Sequence, residues 1–440
     1  MLALLAPLPA RAAVSFVRDV APILVEQCLE CHRADKSKGA YRVDHFEVLL
    51  KAGDSEAAPI VPGKPEASEL FRLIALHDED DRMPKKGDPL PDKQQALVRQ
   101  WIAEGAKYDA KDRRAALSTL IPEKPRPKAP EIYPRPLPVT ALAVRPDGEQ
   151  IAVSGYYEVT LWNARTGKLT GRIGNMPEKI NSLAWIGTSG VLAVGGGSPM
   201  RSGELWLVDT KKANAPRRLF VTKDTLLALA SSSDGSLLAA GGADNHVRLF
   251  AMPGGRQLWD VEPHADWVMA LAISPDKKHI ASASRDRTAR LLDADKGSVD
   301  ATHTGHAVTV SSIAFKLDGK EIFSGDAEGQ VRRWNLGGDG IKDTTLRPAR
   351  VDVLQIGFLG ADVAVALANG QVSSFDLKSR KLKGKLVRHD DRVNELVVTG
   401  FPENLRIVTG SHDGEVRVFD LKEKKELLKF IASPGIATPP

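Results

Sequence analysis

LAVRPDGEQIAVSGYYEVTLWN, residues 142–163, contains two short apolar runs and a third that closes on an aromatic, with Pro146-Asp147-Gly148 turning the chain between the first two. Leu142 to Val144, Ile151 to Val153 and Val159 to Trp162 are apolar and rich in β-branched residues, the pattern of strands joined by tight turns. The unit recurs. After Trp162-Asn163, its closing pair returns as Val208-Asp209, Phe250-Ala251, Leu292-Asp293, Trp334-Asn335, Phe375-Asp376 and Phe419-Asp420. Successive second members lie 46, 42, 42, 42, 41 and 44 residues apart. A single four-stranded unit cannot bury both of its faces, so neighbours stack about an axis, and seven units of this period close a ring of blades. Glu426 to Ile431 offers an outer strand for the last blade, which places the ring at 139–431 and leaves 432–440 as a tail.

These repeats resemble the WD40 family, and the resemblance implies a seven-bladed all-β propeller with hydrogen-bonding residues at set positions. Repeat four has His264, Ser282 and Asp286, with Leu292 where the family has Trp. Repeat five has His306, Ser324 and Trp334 but Glu328 at the Asp position, and repeat seven has His389, Thr409 and Asp413 with Phe419. The three histidines are therefore read as hydrogen-bonding groups within blades rather than as metal ligands. Gly195-Gly196-Gly197 has no Gly-Lys-Ser after it and is read as a loose turn in the second repeat, followed by an enlarged turn, Ser198 to Ser202, with Met200 at its tip. Apart from the hydrogen-bonding residues of these blades, the repeats contain no Ser-His-Asp arrangement, paired-carboxylate motif or His-Glu-x-x-His, so no independent catalytic constellation is expected.

Upstream, residues 110–138 hold seven prolines and no sustained period, the composition of an extended spacer. Before them lies Cys28-Leu29-Glu30-Cys31-His32, which contains the only two cysteines of the 440-residue chain. Cys-x-x-Cys-His is the attachment signal of a c-type haem. On a helix the two thiols share a face, spaced to bond the two porphyrin vinyl groups, with the next residue under the iron. A zinc site would need further Cys or His ligands nearby, and a thioredoxin pair would sit in a βαβ pattern. One covalent haem c is thus expected, with Cys28 and Cys31 as thioethers and His32 as proximal iron ligand. Met83, in Arg82-Met83-Pro84, is the candidate distal ligand, and His77 and His45 are the alternatives.

Helical spacing is expected over Phe16 to Gln27, Phe46 to Ala52, Ser68 to His77 and Asp92 to Glu104, the last with an Asp cap and a Gly105 stop. Residues 14–109 therefore read as a small all-α domain of modest core, to which a haem would add apolar mass. Val20, Pro22, Ile23, Leu24, Cys28, Cys31, His32, Arg82, Met83, Pro84, Trp101, Ile102, Gly105 and Ala106 resemble the pattern of the planctomycete-type cytochrome c domain, with Lys85 where that family commonly has a second Pro. The resemblance implies a multidomain chain: a c-type cytochrome followed by a propeller.

Met1 to Ala13 is apolar and ends in Ala10-Arg11-Ala12, as a secretory signal does before cleavage. With covalent haem, this points to a periplasmic or otherwise extracytoplasmic location. The net charge of +5 is spread through the chain, without the concentrated basic and aromatic stretch of a nucleic-acid binder, and no apolar run reaches the length of a membrane span. The expected role is electron transfer through the haem iron, with the propeller docking a redox partner or another protein. Lys36, Lys38, Lys85 and Lys86 are placed to steer an acidic partner. A redox- or gas-sensing scaffold is the alternative, and a multi-cofactor oxidoreductase ranks third.

Overall fold

The computed structural model describes residues 13–29, 31–33, 36–85, 88–121, 126–211, 216–336, 344–348, 350–400 and 405–436. The leader-like residues 1–12 lie outside them. The chain divides into two compact units between residues 124 and 125.

The N-terminal unit is built from short helices. A π-helical turn, Phe16–Val20, runs into α1 (Ala21–Gln27), where Pro22 sits in the first turn, a position at which its missing N–H has no helical partner to lose. α2 (Phe46–Leu49), α3 (Glu69–Ile74), α4 (Asp92–Ala103) and α5 (Leu117–Leu120) follow. The cap of α4 is Pro91, so Asp92 stands inside the first turn, and Gly105 ends the helix at φ +96. The helices are joined by a ladder of two residues per strand that pairs His32 with Ser37 and Arg33 with Lys36. The core is larger than the sequence suggested. Phe16 packs against Phe46 at 4.8 Å and Trp101 at 5.2 Å, Phe46 meets Tyr108 at 4.5 Å, and the Arg113 guanidinium lies 4.9 Å above Phe46. This aromatic cluster gives the unit apolar mass of its own.

The second unit is a seven-bladed propeller of four-stranded antiparallel meanders, spanning residues 142–174, 179–222, 226–261, 268–303, 310–346, 353–388 and 393–431. Each of the seven closing pairs read from the sequence ends the third strand of its blade, as Trp162-Asn163 ends Glu158–Asn163. The innermost strands surround a channel of about 680 Å³. In blades two to seven the innermost strand carries a bulge near its start, which leaves Asn181, Leu227, Met269, Ser311, Leu354 and Asn394 unpaired along the channel. A bulge re-aims the side chain it displaces. Where that side chain is polar it bonds to the next blade: Asn181 Nδ2 donates to Leu226 O at 2.8 Å, Ser311 Oγ to Val353 O at 2.9 Å, and Asn394 Nδ2 to Val139 O at 2.8 Å.

The ring closes without exchanging a strand, since blade seven takes all four strands from 393–431. Its last strand, Lys425–Ile431, includes the stretch expected from the sequence. Side chains bridge blades one and seven, with Trp162 and Phe430 at 4.9 Å. The backbone N–H groups of Tyr133, Leu137 and Val139 donate to Pro434 O, Ser433 Oγ and Ser411 O, respectively. Thus the proline-rich stretch is folded at both ends: 126–138 belongs to the ring, whereas Leu117 is buried in the N-terminal unit. Gly195–Gly197 form no turn. They lie within the strand Val191–Ser198 and pair on both sides, and a Cβ on Gly196 would collide with the Lys179 carbonyl oxygen. Beyond them Met200 stands 89 % exposed at φ +58. Among the described residues, no helix is long and apolar enough to cross a membrane.

Candidate functional site

α1 stops at Gln27, and the Cys-x-x-Cys-His motif forms a turn beyond it. The backbone N–H groups of Cys31 and His32 both donate to Cys28 O, at 3.1 and 3.2 Å. The thiols therefore share a turn rather than a helical face. The helix ends because the next residues are drawn into extended pairing: Lys38 N–H donates to Cys31 O at 3.0 Å, and Val43 N–H to His32 O at 2.8 Å.

Cys28, Cys31 and His32 line a cavity of about 740 Å³, and Met83 lines it too, with Tyr41, Leu70, Leu73, Ile74 and Pro84 among the other walls. That volume falls within the roughly 300–1,000 Å³ of small-molecule and cofactor pockets. His32 Nδ1 lies 3.1 Å from Tyr41 O. A carbonyl can only accept, so this contact selects the tautomer with Nδ1–H and leaves Nε2 as the ring's ligand atom. Tyr41 is held by its hydroxyl, which donates to Leu49 O at 2.9 Å, and burial raises its phenol well above the usual range. Burial also pushes the Cys28 thiol up to about 12, with Cys31 beside it adding to the effect. At neutral pH Cys28 is a thiol, unlike the low-pKa thiolates of disulfide-exchange sites.

Met83 reaches the cavity from the segment that follows α3, where its backbone N–H donates to Leu73 O at 2.9 Å. It is half-buried against the core, beside the buried Arg82. His45 is turned elsewhere, with Nδ1 2.7 Å from Asp44 Oδ2, and His77 is exposed; neither lines the cavity. Burial alone would raise the Asp44 carboxyl, but hydrogen bonds from His45 and Arg42 outweigh it and hold the group well below the usual range. Lys38 and Lys85 are exposed at the cavity, where Asp54 and Glu69 also lie, and Lys86 lies outside the described residues. Sequence reasoning missed Tyr41 and the Gly39/Gly53 pair. Their signal was faint: a Cβ on Gly53 would strike the Gly39 carbonyl oxygen, so two loops can approach closely at the cavity wall only where that side chain is missing.

An apolar-walled pocket with two thiols, a tautomer-fixed histidine and a methionine is a donor set that fits a haem c. In the propeller, both ring nitrogens of two histidines are occupied. His264 meets Asp286 at 2.9 Å and Ser282 at 2.8 Å, and His306 meets Asp326 at 2.7 Å and Ser324 at 2.8 Å. Blade five recruits Asp326, which the sequence reading passed over in looking for a carboxylate at Glu328.

Comparison with known proteins gives two family matches. Residues 28–87 match the family described as Planctomycete cytochrome C, and residues 217–250, 255–293, 297–335 and 380–420 match WD domain, G-beta repeat. No curated protein matches the chain at a significant level.

Proposed function

We propose that this chain, which joins a planctomycete-type cytochrome c domain to a WD40 propeller, is an extracytoplasmic electron-transfer protein. Cys28 and Cys31 would hold one haem c through thioethers, His32 and Met83 would bind its iron, and the propeller would dock a redox partner or another protein. The bound haem supplies a one-electron couple at its iron. The chain's own residues do the rest. Tyr41 O fixes the His32 tautomer, the N–H···O bond to Leu73 anchors Met83, and Leu70, Leu73 and Ile74 give the cavity apolar walls. A thioether ligand raises the potential relative to bis-His ligation. The observation that carries the reading is the convergence of both thiols, His32 and Met83 on one apolar cavity while His45 and His77 stay outside it.

Absorption spectra of protein matured with its haem, oxidised and reduced, test this reading. A c-type spectrum with the thioether-to-iron band of the oxidised state, unchanged by carbon monoxide, is expected. Carbon monoxide binding would favour a gas-sensing scaffold, and absence of covalent haem would overturn both readings.

A further inference from the structure

Blade seven departs from blades four and five at one atom. His389 is wholly buried and its Nε2 lies 2.7 Å from Thr409 Oγ1, as His264 and His306 meet Ser282 and Ser324. Its Nδ1, however, has no hydrogen-bond partner among the described residues. Asp413 Oδ2 is 3.5 Å away and Glu415 Oε2 is 3.9 Å away, and one ligand atom from each of the three residues lies within 4.8 Å of the others. The cause is legible in the chain. Thr288 follows Asp286 by two residues and its hydroxyl lies 3.2 Å from His264 Nδ1; in blade seven the equivalent residue is Glu415. A second carboxylate therefore faces an imidazole nitrogen that its neighbours leave unbonded.

We propose that His389 Nδ1, Asp413 and Glu415 hold a divalent cation of the zinc class. If Nε2–H donates to Thr409 Oγ1, Nδ1 keeps its lone pair for a metal. One imidazole and two carboxylates make a ligand set of the kind zinc takes, leaving one position for water. Ligands about 2.1 Å from a tetrahedral zinc lie about 3.4 Å apart: the 3.5 Å between Nδ1 and Asp413 Oδ2 meets that spacing, and Glu415 Oε2, at 3.9 Å, has about half an ångström to close when the ion binds. Other contacts hold the carboxylates in place. Asp413 Oδ1 accepts from Glu415 N–H at 2.8 Å, and its Oδ2 from Asp390 N–H at 3.2 Å. Glu415 Oε2 accepts from Arg417 Nε and Nη2 at 2.9 and 2.5 Å, and Lys429 Nζ is 3.7 Å from Oε1. These cations offset part of the carboxylate charge. The ion also has a mechanical setting. The turn that carries Asp413 is gripped by both ends of the ring, through Val139 N–H on Ser411 O and Ala432 N–H on Gly414 O.

Haem-loaded full-length protein, cleared of loosely held metal by a chelator, is titrated with Zn2+ alone and followed by calorimetry and thermal unfolding. The cysteines are then closed as thioethers and cannot take the ion. One Zn2+ per chain is expected, with a rise in unfolding temperature. Glu415→Thr installs the residue of blade four, which folds there, and is expected to weaken binding at least tenfold. Glu426→Gln, which touches Arg417 but not the site, is expected to leave binding unchanged. The proposal is overturned if the wild type takes up no Zn2+ or if Glu415→Thr binds as tightly as the wild type.

Discussion

His306 in the propeller and His32 in the N-terminal unit each have Nδ1 tied to the protein, at 2.7 Å to Asp326 and 3.1 Å to Tyr41 O. They differ at the other nitrogen. His306 Nε2 is consumed by Ser324, and the ring is buried in its blade; His32 sits at the wall of a cavity that Met83 also lines. A histidine satisfied at both nitrogens locks a fold, whereas one fixed at a single nitrogen beside an open pocket is prepared for a ligand. The contrast can be broken at either end.

The largest effect belongs to the cavity. Replacing Cys28 and Cys31 together by Ala is expected to abolish covalent haem, read as loss of the haem mass and of c-type absorption in denatured protein. Met83→Ala is expected to keep the haem covalent, lose the thioether band, open the iron to carbon monoxide and lower the reduction potential by on the order of 0.1 V. A potential that stays in place would move the distal ligand to another residue. His306→Ala tests the other side of the contrast: it strips a buried carboxylate and hydroxyl of their shared partner, and should cost the propeller about 2–4 kcal/mol in thermal or denaturant unfolding. The haem spectrum below the transition should be unchanged.

The smallest expected effect lies in the channel. Burial raises the Glu395 carboxyl to about 8, and Gln355 Nε2 lies 3.4 Å from its Oε2. The folded state therefore binds the proton more tightly than the unfolded chain. This stability is fully present below about pH 4.3, the ordinary Glu value, and is lost as pH rises toward 8. Glu395→Gln should flatten that slope and make the protein more stable than the wild type at pH 9, by roughly 1 kcal/mol because the channel is open to solvent. An unchanged pH profile would show that the carboxyl titrates normally.

The repeat period and all seven closing pairs were legible because each blade repeats the same alternation of apolar strand and turn. Cys28, Cys31, His32 and Met83 could be singled out because few chemistries use those residue types in that order, and the structure brings the four to one cavity. Three features were hidden, each for a geometric reason. Asp326 ends its strand and Glu328 lies in the turn beyond it, where its N–H donates to Asp326 Oδ1, so the carboxylate that meets His306 comes from the strand end and not from the turn position at which the sequence pattern places it. The bulges that turn Asn181, Ser311 and Asn394 toward the channel add one unpaired residue without interrupting the apolar run. The glycines at 195–197 look like a turn, but their missing side chains serve a close strand pairing.

Closing the ring without a shared strand also sets how it would fail under load. Residues 126–139 and 432–436 enter and leave at the same junction between blades one and seven, so a pull on the two ends acts first on the hydrogen bonds of Tyr133, Leu137 and Val139 and on the Trp162–Phe430 contact. No blade need lose a strand for that junction to part. The ring is accordingly expected to yield to tension by opening at one place, with seven intact sheets, before any sheet unravels.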